Sequence, residues 1–168
     1  MSSSGEAAIR SARRGDVPAL VNLRVQHLGE TARQEPGVRL GPDARTRSEH
    51  ALPVWLGQEG RVVLVVEVPG ADGDVTLAGY AMGSIGTLPP ILKHQRVGEI
   101  LECFVAPTHR GAGLGRDLIE KLTEILLGRG AHVLRAAVPV GSEDAKERFH
   151  ASGYAPIFFV MRRNVESL

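Results

Sequence analysis

Apolar and polar side chains alternate along this chain with a period that changes from segment to segment, and the changes mark out its elements. Residues 7–11 predict a short first strand. Asp16 stands where a helix would be capped, Pro18 fits a first turn, and Leu20, Val21, Leu23, Val25 and Leu28 follow at helical spacing up to Gly29, a residue that often ends helices. Residues 30–47 are polar, contain Pro36, Gly37, Gly41 and Pro42, and hold no period, so a long loop is expected there. A second helix is predicted over 48–58 around Trp55, with Pro53 acceptable only in its first turn. The β-branched runs 61–68 and 75–84 flank the turn PGADGD and predict a hairpin. Pro89 and Pro90 block regular structure over 87–98, and a fourth strand follows over 99–105. Leu114, Leu118, Ile119, Leu122, Ile125 and Leu126 then give the clearest helical pattern, ended by Gly128 and Gly130. Residues 132–140 predict a fifth strand, so strand, helix and strand should form a right-handed parallel crossover. Ser142 is expected to cap a further helix ending at Gly153, and 157–163 to form a last strand.

Composition narrows what such a domain can do. The chain has 168 residues, of which 43% are hydrophobic, enough for one packed core over residues 7–168 behind a disordered tail at 1–6. With 20 Lys+Arg against 19 Asp+Glu, the formal charge of +1 offers no field to attract nucleic acid or an anionic membrane. The single cysteine, Cys103, excludes an internal disulfide and a multi-thiolate zinc site. The other chemistry of metals is equally unsupported, because His27, His50, His94, His109 and His132 show no H-E-x-x-H pattern. No run is long and apolar enough to span a bilayer, and the first residues lack the apolar stretch of a signal peptide, so a cytoplasmic setting is expected.

The segment Arg110-Gly111-Ala112-Gly113-Leu114-Gly115 lies between a predicted strand and an amphipathic helix. Glycines there permit backbone torsions that turn successive N–H groups toward an anion, and the helix N-terminus adds partial positive charge. Arg110 and Arg116 bracket the turn and could add charge for a diphosphate. The order is neither the dinucleotide fingerprint G-x-G-x-x-G nor a P-loop, so hydride transfer and triphosphate hydrolysis fall away.

The R-x-x-G-x-G order after Val105-Ala106-Pro107 resembles the acyl-CoA motif of the GNAT superfamily of N-acetyltransferases. Ser142-x-x-Ala145-x-x-Arg148-Phe149-x-x-x-Gly153-Tyr154 is similar to a second segment of that family. The resemblance implies an α/β domain with a mixed, mostly antiparallel sheet of about six to seven strands flanked by about four helices, splayed between strands four and five. It implies acetyl-CoA as cosubstrate, no metal, and transfer of its acetyl group to a primary amine by direct attack in a ternary complex, the acceptor being a small molecule rather than a protein. Carried over, Cys103, Phe104 and Val105 would line the pantetheine and thioester. Gly111, Ala112, Gly113, Leu114 and Gly115, with Arg110 and Arg116, would hold the pyrophosphate, and Ser142, Ala145 and Phe149 would flank the arm's far end. A homodimer is common in the family.

The amine must lose a proton to react, and Glu102 on the fourth strand is the first candidate base, with Glu99 second. Regular alternation would put Glu102 on one face with Ile100 and Phe104, and Glu99 on the other with Leu101 and Cys103. Phe149 departs from the family, which commonly has there a tyrosine able to protonate the leaving thiolate. His150, Tyr154, Ser142 and Tyr80 are the substitutes in reach of that idea, and without one the domain would be a weakly active or non-catalytic acyl-CoA-binding module. Trp55 and Tyr80 are candidates for the acceptor pocket, and Cys103 is read as a small buried hydrophobe rather than a nucleophile.

Overall fold

A computed structural model describes residues 7–35, 38–70, 73–87 and 96–157. Its strands are β1 (Ala8–Ser11), β2 (Arg61–Pro69), β3 (Val75–Thr87), β4 (Arg96–Val105) and β5 (Val133–Ala136). Its helices are α1 (Val17–Gln34), α2 (Ala44–Gly57), α3 (Leu114–Gly128) and α4 (Glu143–Ala151). The strands form one sheet in chain order, antiparallel from β1 to β4 and parallel between β4 and β5. Five strands are present among the described residues where six to seven were expected. The predicted strand over 157–163 lies outside the described residues except for Ile157, which is in no strand.

Both faces of the sheet are covered, which explains why β2 reads as a continuous apolar run instead of an alternating one. Val62, Leu64 and Val66 face α3, packing with Leu118, Leu122 and Leu126, while Val63 and Val65 face α1 and α2, packing with Leu20, Val21 and Leu52. All five of these β2 positions, three on one side and two on the other, are buried.

Several boundaries differ from the sequence-based expectation for identifiable reasons. Helix α1 runs through Gly29, whose backbone stays out of the left-handed region, and stops at Glu35, which is extended (φ −107°, ψ 111°) as the residue before Pro36 must be. The expected loop over 30–47 is therefore helical at both ends. Helix α2 carries Pro53 inside it, and the complete burial of Leu52 and near-complete burial of Ser48 hold that helix against the lost hydrogen bond. Asp16 and Ser142 occupy N-cap positions, but neither side chain makes a capping hydrogen bond; Asp16 is instead taken by the Arg10 guanidinium and the Arg13 N–H.

The feature that shapes the site lies in β4. Met82 of β3 pairs with Glu102 and Gly83 pairs with Ile100, so Leu101 is an extra residue, a β-bulge, and its side chain is 39% exposed. Beyond the bulge the faces swap. Ile100 packs toward α3, whereas Glu102 and Phe104 turn to the α1 and α2 side, and Cys103 and Val105 turn to α3. The expected sharing of a face by Ile100 and Glu102 is thus corrected, and by alternation with Ile100 it is Glu99 that shares the face of Glu102. Pairing between β4 and β5 covers only Val97 to Ile100 and Val133 to Ala136, so the two strands part where the bulge begins.

Candidate active site

Two constructions meet along the second half of β4. The first is made mostly of backbone. From Leu101 to Val105 the strand edge facing β5 has no partner strand among the described residues, leaving main-chain groups open for an extended ligand. The chain then passes through a short 3-10 turn at Pro107–His109 and enters the glycine turn. Gly111 (φ 87°) and Gly113 (φ 81°) are both left-handed, a conformation that L side chains rarely adopt, and Gly113 caps α3. A Cβ at either position would meet nothing within 4 Å, so the turn is an open cradle. Among the described residues, no N–H from Gly111 to Gly115 donates to a backbone acceptor. A group of free donors at a helix N-terminus suits a phosphate, and these residues fit the pyrophosphate of an acyl-CoA.

The arginines expected beside this cradle are committed elsewhere. Arg110 donates through Nε to the Val105 carbonyl (2.9 Å) and through Nη2 to Glu30 (2.7 Å), with its guanidinium 5.3 Å from the Phe104 ring centroid. Arg116 pairs along the helix with Glu120 and is 72% exposed. The cation against the first turn of α3 is one the sequence reading passed over: Arg148 of α4, whose Nη1 lies 2.9 Å from where a Cβ on Gly115 would stand. Cys103 sits beneath, its Sγ 3.7 Å from the Gly115 carbonyl, and burial pushes its thiol up to about 11, so it is not a thiolate at neutral pH. Ala145 and Phe149 line α4, with the Phe149 ring edge-on to Tyr154 at 5.1 Å. Phe149 has no acidic hydrogen, and burial raises the Tyr154 phenol, which makes it a weaker acid than a free one. His150 is exposed on another side of the helix.

The second construction is made of side chains and lies on the opposite face of β4. Arg24 of α1 grips Glu102 with Nη2 on Oε1 (2.9 Å) and Nε on Oε2 (3.1 Å). Arg24 is itself fixed by Ser48 of α2 (3.1 Å) and by the Trp55 ring, 4.7 Å from its guanidinium carbon. Trp55 therefore touches this network as a platform for Arg24. Tyr80 of β3, fully buried, donates its hydroxyl to Glu102 Oε2 at 2.7 Å, and His27 of α1 contacts the same hydroxyl at 2.8 Å. Tyr80, expected beside the acceptor pocket, is thus fully buried with its hydroxyl committed to Glu102 and His27. Burial drives the Tyr80 phenol above its ordinary range, and burial likewise lowers His27 below the ordinary 6.5, against the raising influence of Glu102 and Glu30. The His27 ring stacks on Phe104, with centroids 5.1 Å apart and planes 20° from parallel.

Glu99 stands apart from this network, across the ladder from Arg135. Arg24 and His27 escaped the sequence reading, although they break the apolar stripe of α1 with two polar residues three apart, and that interruption was the available signal. Among the described residues no group of three or more His, Cys, Asp or Glu is arranged to hold a metal, and no helix is long and apolar enough to cross a membrane.

The chain resembles known proteins over the same elements. A relative from Archaeoglobus fulgidus, described as an uncharacterized N-acetyltransferase, is 43% identical over 63 residues, which is 37% of this chain and 42% of the relative. The match thus spans about two-fifths of that protein's length. Among solved structures, a predicted acetyltransferase from Clostridium acetobutylicum with acetyl-CoA superposes with a TM-score of 0.75 at 19% identity, covering 95% of this chain and 96% of that one. Glucosamine-6-phosphate N-acetyltransferase from Arabidopsis thaliana gives 0.70 at 16% identity, covering 96% and 100%. At these identities the two structures show a shared fold. The profile of the acetyltransferase (GNAT) family matches residues 26–154, from α1 through Tyr154, and by that match this chain is a member of the GNAT family.

Proposed function

We propose that the protein is an N-acetyltransferase that moves the acetyl group of acetyl-CoA to a primary amine of a small molecule by direct attack in a ternary complex. The observation that carries this reading is the cradle of N–H groups at the head of α3, free among the described residues, set beside a stretch of β4 edge that no described strand pairs. Backbone from Gly111 to Gly115 would hold the pyrophosphate, and Cys103 to Val105 the pantetheine, leaving the thioester near Phe104. Acetyl-CoA brings the activated acetyl group; the protein brings position and a sink for the amine's proton. Glu102 is the anionic centre of that sink. Its carboxylate is tied to Arg24 and Tyr80, so its charge acts through its hydrogen bonds. Support for an amine acceptor comes from the family and from relatives such as the glucosamine-6-phosphate enzyme. A homodimer belongs to the same reading and rests on the family resemblance, while a cytoplasmic setting rests on the single cysteine and the lack of a long apolar run.

The second reading, an acyl-CoA-binding module with weak or no catalysis, is favoured by one observation: Phe149 cannot protonate a departing thiolate. Isothermal titration with acetyl-CoA, followed by thiol release with glucosamine 6-phosphate, kanamycin and spermidine, separates the two. Micromolar binding with turnover is the expected result. Binding without turnover of any amine would favour the module, and absence of binding would overturn both.

A further inference from the structure

The hydrogen-bond directions behind Glu102 fix which nitrogen of His27 carries a hydrogen. A carboxylate only accepts, so the 2.7 Å contact between Tyr80 and Glu102 is donated by the phenol. That uses the hydroxyl's one hydrogen, and in its 2.8 Å contact with His27 Nδ1 the phenol oxygen must accept. Nδ1 therefore carries the hydrogen, and in a neutral imidazole the lone pair is left on Nε2. Among the described residues Nε2 has no hydrogen-bond partner, and the His27 side chain keeps 22% of its surface exposed. Its ring lies flat on Phe104, a residue of the stretch of β4 that has no partner strand on the β5 side among the described residues.

We propose that Nε2 of His27 takes the proton from the ammonium group of the acceptor, which makes His27 a catalytic residue, with Tyr80 and Glu102 as positioning residues behind it. The proposal rests on the acetyl-CoA-dependent reading above. The uncharged amine nitrogen then forms a C–N bond to the acetyl carbon as the C–S bond breaks. Nitrogen gives up two protons in all: the first leaves on Nε2 and passes to solvent, and the second ends on the CoA sulfur. While protonated, the imidazolium donates from Nδ1 into a chain that ends on the Glu102 carboxylate, so its new charge is balanced without breaking a hydrogen bond. The charged groups facing the ring are Glu102 from β4, Glu30 and Arg24 from α1, and Arg110 from the turn before α3, besides the Tyr80 phenol from β3. The carboxylates favour the protonated ring, while burial and the two arginines oppose it, and the balance keeps the free ring neutral at pH 7.

The test uses the full-length chain labelled with 15N. Long-range 1H–15N correlation at pH 7.5, with His27 identified by its loss in His27→Gln, is expected to show hydrogen on Nδ1 and none on Nε2. In Tyr80→Phe, which removes the accepting oxygen, that preference should vanish while acetyl-CoA binding by titration is kept. Hydrogen on Nε2 in the unmodified protein would overturn the proposal. With whichever of glucosamine 6-phosphate, kanamycin and spermidine is turned over, His27→Gln should lower kcat by about 100-fold at an unchanged KM for acetyl-CoA, and abolish the acid limb of the kcat profile. An unchanged kcat would sink the role of His27 and leave the acetyltransferase reading standing. Loss of acetyl-CoA binding by the unmodified protein would sink that reading instead.

Discussion

The two sides of β4 are built from different materials. On the α3 side, the proposed acyl-CoA surface is backbone: a strand edge, two left-handed glycines and the N–H groups at the head of a helix. On the α1 side, the proposed acceptor surface is a web of side chains in which Arg24, His27, Tyr80 and Glu102 each have a partner from another element. A backbone surface depends on local torsions and accepts any substitution that preserves them. A side-chain web depends on four identities at once, and so it can specify an acceptor where the backbone side cannot.

The sharpest way to break this contrast is at Gly113. In Gly113→Glu, a side chain is forced into a left-handed position and a carboxylate enters the cradle. Acetyl-CoA affinity should fall about 100-fold or more, since the new carboxylate repels the diphosphate, while the left-handed strain of roughly 1–2 kcal/mol lowers stability. Titration calorimetry reads this directly, and wild-type affinity in the variant would remove the cradle from the cofactor site. On the other side, Arg24→Ala strands Glu102, whose side chain is only 16% exposed, without its cation. Stability should drop by about 2–4 kcal/mol, seen as a lower denaturation midpoint, with acetyl-CoA affinity preserved in the folded variant. Loss of affinity there would mean that the two surfaces are not separate.

A smaller effect follows from pH. Burial sets the folded-state pKa of His27 below its ordinary 6.5, so the unfolded chain binds a proton that the folded chain declines. The corresponding stability is complete above about pH 6.5 and is lost as the pH falls through the folded-state value. Thermal unfolding measured from pH 7.5 to 5 should therefore decline more steeply in the wild type than in His27→Gln. Parallel curves would show that the ring is not desolvated. The smallest change is expected from Phe149→Tyr. A thiolate with a pKa near that of cysteine, about 8.5, needs little help to leave, so kcat should rise by less than about tenfold. A rise of 100-fold would identify a missing proton as the limit and favour the weakly active reading.

The same contrast explains what could be read in the chain before its fold was known. The glycine turn and α3 depend on neighbours in sequence, and Gly111, Gly113 and the apolar stripe from Leu114 to Leu126 announce them. The web joins residues separated by 78 positions (Arg24 to Glu102) and 53 positions (His27 to Tyr80), which no local period reports. Glu102 was identifiable as an acid on the fourth strand, but its face was misassigned beside Ile100, because a bulge at Leu101 changes register without a local signature. The length of α1 was hidden by Gly29, which reads as a stop yet takes ordinary helical torsions.

That bulge separates two kinds of inheritance. Deleting Leu101 would join Ile100 to Glu102 in a regular ladder, with both residues still opposite Gly83 and Met82 and every side chain of β4 on its present face. Core and acid would survive, while the bend that parts β4 from β5 would not. One lost codon would thus yield a chain that folds with near-normal thermal stability and no longer opens the edge proposed for acetyl-CoA. In a lineage, such a deletion would remove the proposed activity in a single step and leave a silent scaffold, without the instability by which cells normally clear failed proteins.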